Sequence, residues 1–261
     1  MKSTKTAADT RSTITLTGRV ALVTGVGRYQ GLGAAMCRAL AEHGVNVFFT
    51  YWHAYDGELF PEDNQINPTS FQESLAAHGV RAAFAEVDLS RAASTTELLQ
   101  TVTEKLGAPT IIINNACYDI AGPFSELNER VLDQHYAVNV RATTMLCREF
   151  VKLGRPGSII NMTSGQSLGH MGADKVAYTI TKASAEMLAQ QLAPDLIASG
   201  ITINALDPGP IDTGWMSDQV RSAILKTSKR GRLSTPTDIA ELVIEILSNG
   251  QLTGRVVHAE R

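Results

Sequence analysis

Short runs of consecutive apolar residues alternate along this chain with longer stretches whose apolar positions recur every three or four residues. The short runs are "VALVTG", "VNVFFTY", "AAFAEVD", "TIIINNA", "SIINMTS", "ITINALDPG" and "RVVHA", most of them rich in Val, Ile or Phe. Unbroken apolar runs of this length are what strands buried on both faces of a sheet require. The longer stretches include "GLGAAMCRALAEHG", "STTELLQTVTEKLG" and "TDIAELVIEILSNG", each closed by a Gly of the kind that ends helices. Strand and helix alternate throughout, which with right-handed crossovers predicts one α/β domain built on a doubly wound parallel sheet of about seven strands flanked by helices.

Ligands of such a sheet bind at the carboxyl ends of its strands, and the unusual residues fall there. The first strand runs into "TGVGRYQGLG", residues 24 to 33, before a helix predicted to start near Leu32. Glycines at Gly25, Gly27, Gly31 and Gly33 let the backbone turn tightly and approach a pyrophosphate, which the free N–H groups of a helix N-terminus bind. The fourth strand ends in "NNAC", the fifth in "NMTSG" and the sixth in "DPGPIDTGWM", where Pro208, Gly209 and Pro210 force the chain out of the sheet. Asp88 and Leu89 close the third strand; an Asp there suits either the adenine end of a nucleotide or an ordinary N-cap. "AYTITKASAEM" places Tyr178 and Lys182 four residues apart on one helix face. An ammonium beside a phenol favours the phenolate and moves the group toward acid–base work near neutral pH.

Composition narrows the picture. A chain of 261 residues, 44% hydrophobic and 19% charged, can bury the core of one large domain. The net charge of −3 and the absence of a long Lys/Arg run argue against nucleic acid as a partner. Cys37, Cys117 and Cys147 are odd in number and widely spaced, which indicates neither a disulfide framework nor a zinc site and fits a reducing cytoplasm. Residues 1–14 read as a polar tail without an apolar signal region, residues 15–261 as the catalytic domain, and no apolar run is long enough for a membrane span.

The Gly-rich turn, "NNA", "YAVNVRA" on a middle helix, a Ser after the fifth strand, Tyr-x3-Lys and "PG" after the sixth occur here in one order. With these motifs the chain resembles the short-chain dehydrogenase/reductase family from about Gly18 to its C-terminus, and looks most like its 3-oxoacyl-carrier-protein reductases and related ketoreductases. The resemblance implies a Rossmann-like fold and an NAD(P)-dependent oxidoreductase moving a hydride between a nicotinamide cofactor and a carbonyl or secondary alcohol. It implies a catalytic tetrad of Asn139, Ser164, Tyr178 and Lys182. Tyr178 would donate the proton and Ser164 hold the substrate oxygen, while Lys182 would lower the phenol pKa and grip the nicotinamide ribose. Asn139 would interrupt its helix and hold a water that links Lys182 to solvent. Implied cofactor contacts are Gly25, Gly27, Arg28, Gly31, Leu32, Gly33, Tyr51, His53, Asp88, Leu89, Asn115, Ala116, Tyr178, Lys182, Pro208, Gly209, Ile211 and Thr213, with no metal.

Three features depart from the family pattern. Five residues rather than three separate Gly25 from Gly31; the usual Ser position, thirteen before the Tyr, is Gly165, so Ser164 takes the role ahead of Ser167; and Cys117 replaces the usual Gly after "NNA". NADP(H) is expected ahead of NAD(H), because the second strand ends at Tyr51 without an acid for the ribose 2'-OH. Asp56 is expected to be out of register, while Arg28 and His53 are candidates for a 2'-phosphate. Tyr118, Gln166, Ser167, His170, Trp215 and Met216 are expected around the substrate, beneath a mobile lid over residues 212–231. The substrate is a small carbonyl or alcohol, an acyl thioester among the options. A homotetramer or homodimer is expected through the two long helices around "YAVNVRA" and Tyr178, which carry more apolar surface than one sheet-facing stripe uses. The alternative is a catalytically idle dinucleotide-binding sensor or scaffold of the same fold.

Overall fold

A computed structural model describes residues 14–59, 64–165, 172–211, 218–227 and 232–259. Its seven strands are β1 (Val20–Val23), β2 (Asn46–Tyr51), β3 (Ala82–Glu86), β4 (Ile111–Asn114), β5 (Gly157–Met162), β6 (Ile201–Asp207) and β7 (Val256–His258). They form one sheet in the order β3-β2-β1-β4-β5-β6-β7, every neighbour parallel. The unbroken apolar runs are explained by two cores. Val23, Phe49 and Ile113 point to one face, and Leu22, Phe48 and Ile112 to the other.

On the first face lie α1 (Leu32–Glu42), α3 (Pro68–Ala76) and α9 (Pro236–Ser248), contributing Met36, Leu40, Phe71, Leu75, Val243 and Leu247. On the second lie α4 (Ser94–Leu106), α6 (Thr143–Lys152) and α7 (Val176–Leu196), with Leu98, Val102, Leu146, Phe150, Ala189 and Ala193 inside. Two shorter helices, α2 (His53–Leu59) and α5 (Glu129–His135), and α8 (Asp218–Thr227) complete the helices among the described residues. None of them is long and apolar enough to cross a membrane.

Because β1 is followed by β2 on one side and β4 lies on the other, the strand order reverses between β1 and β4. In doubly wound sheets ligands bind at the carboxyl edge of such a reversal. The long middle helix of the sequence is interrupted where the motif "YAVNVRA" was expected to break it, by a π-helical stretch over Tyr136–Ala142 between α5 and α6. Of the lid expected over residues 212–231 only α8 is described; residues 212–217 and 228–231 lie outside the described residues.

Candidate active site

The Gly-rich turn is held from below by the motif at the end of β4. Thr24, fully buried, accepts at its hydroxyl from the N–H groups of Asn115 (3.1 Å) and Ala116 (3.0 Å). The Asn115 amide donates to the carbonyls of Thr24 and Gly25, each at 2.9 Å. Gly25 has φ of 72°, and a Cβ there would lie 2.5 Å from the Ala116 Cα, so glycine is required both by backbone conformation and by close approach. At Gly33, where α1 packs on the turn, a Cβ would stand 2.8 Å from the Gly25 carbonyl. Gly31 caps α1 without a side chain, which leaves the first N–H groups of that helix without a side-chain cap. A turn of this kind and an uncapped helix start fit the pyrophosphate of a dinucleotide.

The two extra residues of the turn are matched by the chain that follows β2. Arg28 and Gln65 form an antiparallel bridge, Ile66 N–H donates to the Gly27 carbonyl at 2.8 Å, and Tyr29 N–H donates to the Asn64 carbonyl at 3.1 Å. Helix α2 follows β2 directly. Tyr55 stacks on Trp52, packs against Tyr118 and accepts from the Asp119 N–H at 3.0 Å.

Asp56, expected to be out of register with the end of β2, lies in α2. Its carboxylate sits against Gly27, where an added Cβ would be 1.9 Å from Oδ2. Burial raises its pKa, opposed by Arg28, by a backbone hydrogen bond from the Trp52 segment and by His53. Burial likewise pulls the Arg28 guanidinium down, with Asp56 and Tyr55 opposing. A second acid reaches the end of β2 from the neighbouring strand. Glu86, in register with Tyr51, accepts from the His53 N–H at 3.0 Å. Burial, then Glu86, raises the Tyr51 phenol.

Asp88 lies beyond the end of β3, and its carboxylate accepts from the Ser90 N–H at 2.8 Å in the turn leading to α4. It does not cap α4, whose N-cap is Ala93 without a side-chain hydrogen bond. Leu89 is buried in the second core.

The four tetrad positions converge at the ends of β4 and β5. Ser164 is hydrogen-bonded to the Tyr178 hydroxyl. Lys182, buried one turn further along α7, donates to the Met162 carbonyl at the end of β5. Thr163 fixes this crossing from the strand side, donating to the Lys182 carbonyl at 3.1 Å and to Glu186 at 3.0 Å.

Burial drives the Tyr178 phenol well above its usual pKa. The acidic groups of Cys117, Asp119 and Asp207 nearby add to this, and the Ser164 hydrogen bond opposes it. The expected lowering by Lys182 is therefore not what this arrangement displays; the ammonium is spent on a carbonyl and the phenol stays protonated. Asn139 also has other partners than expected. Its buried amide donates to the Tyr118 carbonyl (2.9 Å) and the Thr181 hydroxyl (3.0 Å), while its oxygen accepts from the Tyr118 N–H (2.8 Å). It pins the β4 loop to α7, and the π-helical turn is what brings it there.

Cys117 is half-buried, and burial pushes its thiol up to about 11, with Lys182 opposing, so it is an uncharged small side chain at neutral pH. Gly209 has φ of 66° after β6, and Ile211 bridges to Ser234 beside it. Thr213, Gln166, Ser167, His170, Trp215 and Met216 lie outside the described residues. Sequence reasoning missed Thr24, Asp119, Lys175, Asp207 and His258. Lys175 holds both carboxylate oxygens of Asp119, at 2.9 and 2.8 Å, and stands 5.9 Å from the centre of the Tyr178 ring. The lysine three residues before the tyrosine was the available signal.

A family model described as enoyl-(acyl carrier protein) reductase matches residues 25–260. An uncharacterized oxidoreductase, YjdA of Bacillus subtilis, is 36% identical over 249 residues, covering 93% of this chain and 95% of its own. Among solved structures, a blue fluorescent protein from a metagenomic library in complex with NADPH is 30% identical with a TM-score of 0.81, covering 94% of this chain and 97% of its own. The angucycline C-6 ketoreductase LanV with bound NADP is 28% identical with a TM-score of 0.80, covering 94% and 95%.

Proposed function

Because the chain belongs to the short-chain dehydrogenase/reductase family, and is thus an NAD(P)-dependent oxidoreductase, we propose that it reduces a ketone to a secondary alcohol with Tyr178 as proton donor. The observation that carries this reading is the Ser164–Tyr178 hydrogen bond at the carboxyl edge of the sheet, with the phenol held protonated. A phenol that keeps its proton at neutral pH suits donation to a developing alkoxide, and the Ser164 hydroxyl is placed to share that oxygen. A bound nicotinamide dinucleotide supplies the hydride. Thr24, Asn115, Gly25 and the start of α1 would hold its pyrophosphate, and Lys182, one turn from Tyr178 on α7, would hold the ribose. Asn139 holds the Tyr118 segment that walls the substrate side.

The cofactor reading is NADPH, supported by Arg28 in the turn, by the absence of an acid at Tyr51 and by the NADP(H) bound in two similar structures. NADH is a second reading, favoured by the Asp56 carboxylate at Gly27, since a carboxylate there repels a 2'-phosphate. Titration of the protein with both reduced cofactors decides between them. Tighter NADPH binding that weakens in Arg28→Glu supports the first; tighter NADH binding that equalises in Asp56→Asn supports the second.

Self-association completes the proposal. Ile180 and Met187, two turns apart on α7, and Tyr136 on the π-helical stretch are each more than half exposed. Covering them needs a second copy, the arrangement of a homodimer or homotetramer. Light scattering that finds only monomer at micromolar concentration sinks that part. Turnover is tested with a panel of ketones, acetoacetyl thioesters included. Ser164→Ala is expected to lose about 10²-fold in kcat and Ser167→Ala far less. The reverse order moves the hydroxyl role to Ser167.

A further inference from the structure

The segment after β2 carries a helix that neither core holds. α2 buries none of its residues, while the chain on either side of it is fixed. Before it, Tyr51 is in register with Glu86 inside the sheet; after it, the Ile66 N–H donates to the Gly27 carbonyl and Asn67 caps α3. Between these anchors α2 touches two other segments. The Asp56 carboxylate stands against Gly27 in the turn that follows β1, where an added Cβ would be 1.9 Å from Oδ2. The Tyr55 hydroxyl accepts from the Asp119 N–H at 3.0 Å in the loop that follows β4, and its ring centre lies 5.4 Å from that of Tyr118. Since β1 pairs with β2 on one side and β4 on the other, all parallel, α2 joins the segments that leave three adjacent strands at their carboxyl ends. Gly25 and the start of α1 belong to one of these segments and Asn115 to another. The helix is therefore tied to both sides of the site proposed for the pyrophosphate.

We propose that α2 is an autoinhibitory latch on the dinucleotide site: Asp56 covers Gly27 while Tyr55 is bound to Asp119, and the cofactor is admitted when Tyr55 lets go. The inference rests on the reading that the Gly-rich turn holds the dinucleotide. Glycine at position 27 leaves the backbone open to close approach, and α2 fills that opening with a carboxylate. An anionic pyrophosphate cannot share the place, because like charges at contact distance repel. The far end of the latch is stationary. Asp119 is bound at both oxygens by Lys175, and the Asn139 side chain holds Tyr118 through both its N–H and its carbonyl. Opening therefore falls to α2, which is secured by the Tyr55 hydroxyl, by the Trp52–Tyr55–Tyr118 ring contacts and by Asp56, not by a buried apolar stripe. Segments with few buried apolar contacts are the ones that open at low cost in a folded domain.

The test is the binding of NADP+ and of NAD+ to the protein without substrate, followed by stopped-flow tryptophan emission. Trp52 stacks on Tyr55 and carries the signal, once Trp215, the other tryptophan, is replaced by Phe in every protein compared. Tyr55→Phe keeps the ring and deletes the hydroxyl that accepts from Asp119. It is expected to raise the association rate about threefold to tenfold, the worth of one hydrogen bond, and to tighten the dissociation constant by the same factor. The release rate should stay unchanged, because the latch is already open in the loaded protein. Tyr55→Ala removes the ring contacts as well and is expected to exceed Tyr55→Phe; α2 buries no residue, so neither change reaches the core. If α2 instead embraced bound cofactor, loss of the hydroxyl would quicken release and weaken binding. That result overturns the proposal, as do equal acceleration of both rates and rates that do not move. Should calorimetry find that neither dinucleotide binds the unmodified protein, the reading of the Gly-rich turn falls and the latch with it, whereas binding with unmoved rates in the Tyr55 variants sinks the latch alone.

Discussion

The two halves of the cleft depart from the family spacing in the same sense, by a change of chain length, and absorb it by different means. In the Gly-rich turn two extra residues are taken up by backbone: Arg28 pairs with Gln65, and Gly27 and Tyr29 exchange hydrogen bonds with Ile66 and Asn64. In the catalytic turn the hydroxyl is displaced by a single residue, and one side chain answers it, the Asp207 carboxylate filling the space at Gly165. A loop can grow where its new N–H and C=O groups find a ladder to join, because backbone groups are the same at every residue. A one-residue shift among reacting groups moves a particular hydroxyl, so its compensation must also be particular. The cofactor half should therefore fail through backbone substitutions, and the catalytic half through side chains.

The largest effect tests the catalytic half. Tyr178→Phe removes the proton and little volume, and kcat is expected to fall by about 10²–10⁴-fold. Stabilisation of the fold by added cofactor, read by thermal shift, should persist. Loss of that stabilisation would show that Tyr178 also builds the cofactor half.

Next comes Gly25→Ala in the cofactor half. Its positive φ and the 2.5 Å approach to the Ala116 backbone give an expected cost of about 2–4 kcal/mol in urea denaturation. Cofactor affinity should fall with it, because the turn and the "NNAC" segment must separate. A variant of wild-type stability would mean that the turn yields easily, and the contrast between the halves would go. Ile66→Pro sharpens the same point. It deletes the N–H that binds the Gly27 carbonyl, at about 1–3 kcal/mol, and should weaken cofactor binding while leaving the ionisation of Tyr178 in place. A changed phenol titration would couple the halves.

The contrast also governs what could be read from the sequence. Strands, the turn and α1 were legible because periodicity and glycine spacing are local, and so was the Tyr178–Lys182 pair, four residues apart on one helix. The break at Asn139 was legible through the family motif, but its partners Tyr118 and Thr181 come from a different loop and helix. Helix α2 buries no residue, so no apolar stripe announced it. Asp56 was expected out of register because it lies five residues past Tyr51, and the turn of helix that sets its carboxylate against Gly27 is not written in any apolar pattern. Asp207 and His258 lie 51 residues apart, and only the parallel pairing of β6 with β7 makes them neighbours.

The smallest effect supplies the control, a cap belonging to neither turn. At the start of α9, Thr235 accepts from the Asp238 N–H at 3.2 Å and Asp238 accepts from the Thr235 N–H at 2.7 Å. Arg232 lies 2.7 Å from the same carboxylate and, with these hydrogen bonds, holds it well below the usual carboxylate range. Thr235→Ala is expected to cost about 1 kcal/mol, with turnover, cofactor preference and the Tyr178 titration unchanged. Asp238→Asn should cost stability at neutral pH and progressively less as the medium is acidified. A carboxylate depressed in the folded state stabilises above the unfolded pKa of about 4, and that contribution disappears as pH falls through its folded value. Denaturation midpoints for both proteins at neutral and acid pH check this. A gap between them that stayed constant down to strong acid would assign the loss to packing at the helix start. A change in cofactor binding in either variant would show that the start of α9 communicates with the Gly-rich turn, and the two halves of the cleft could no longer be treated as separately built.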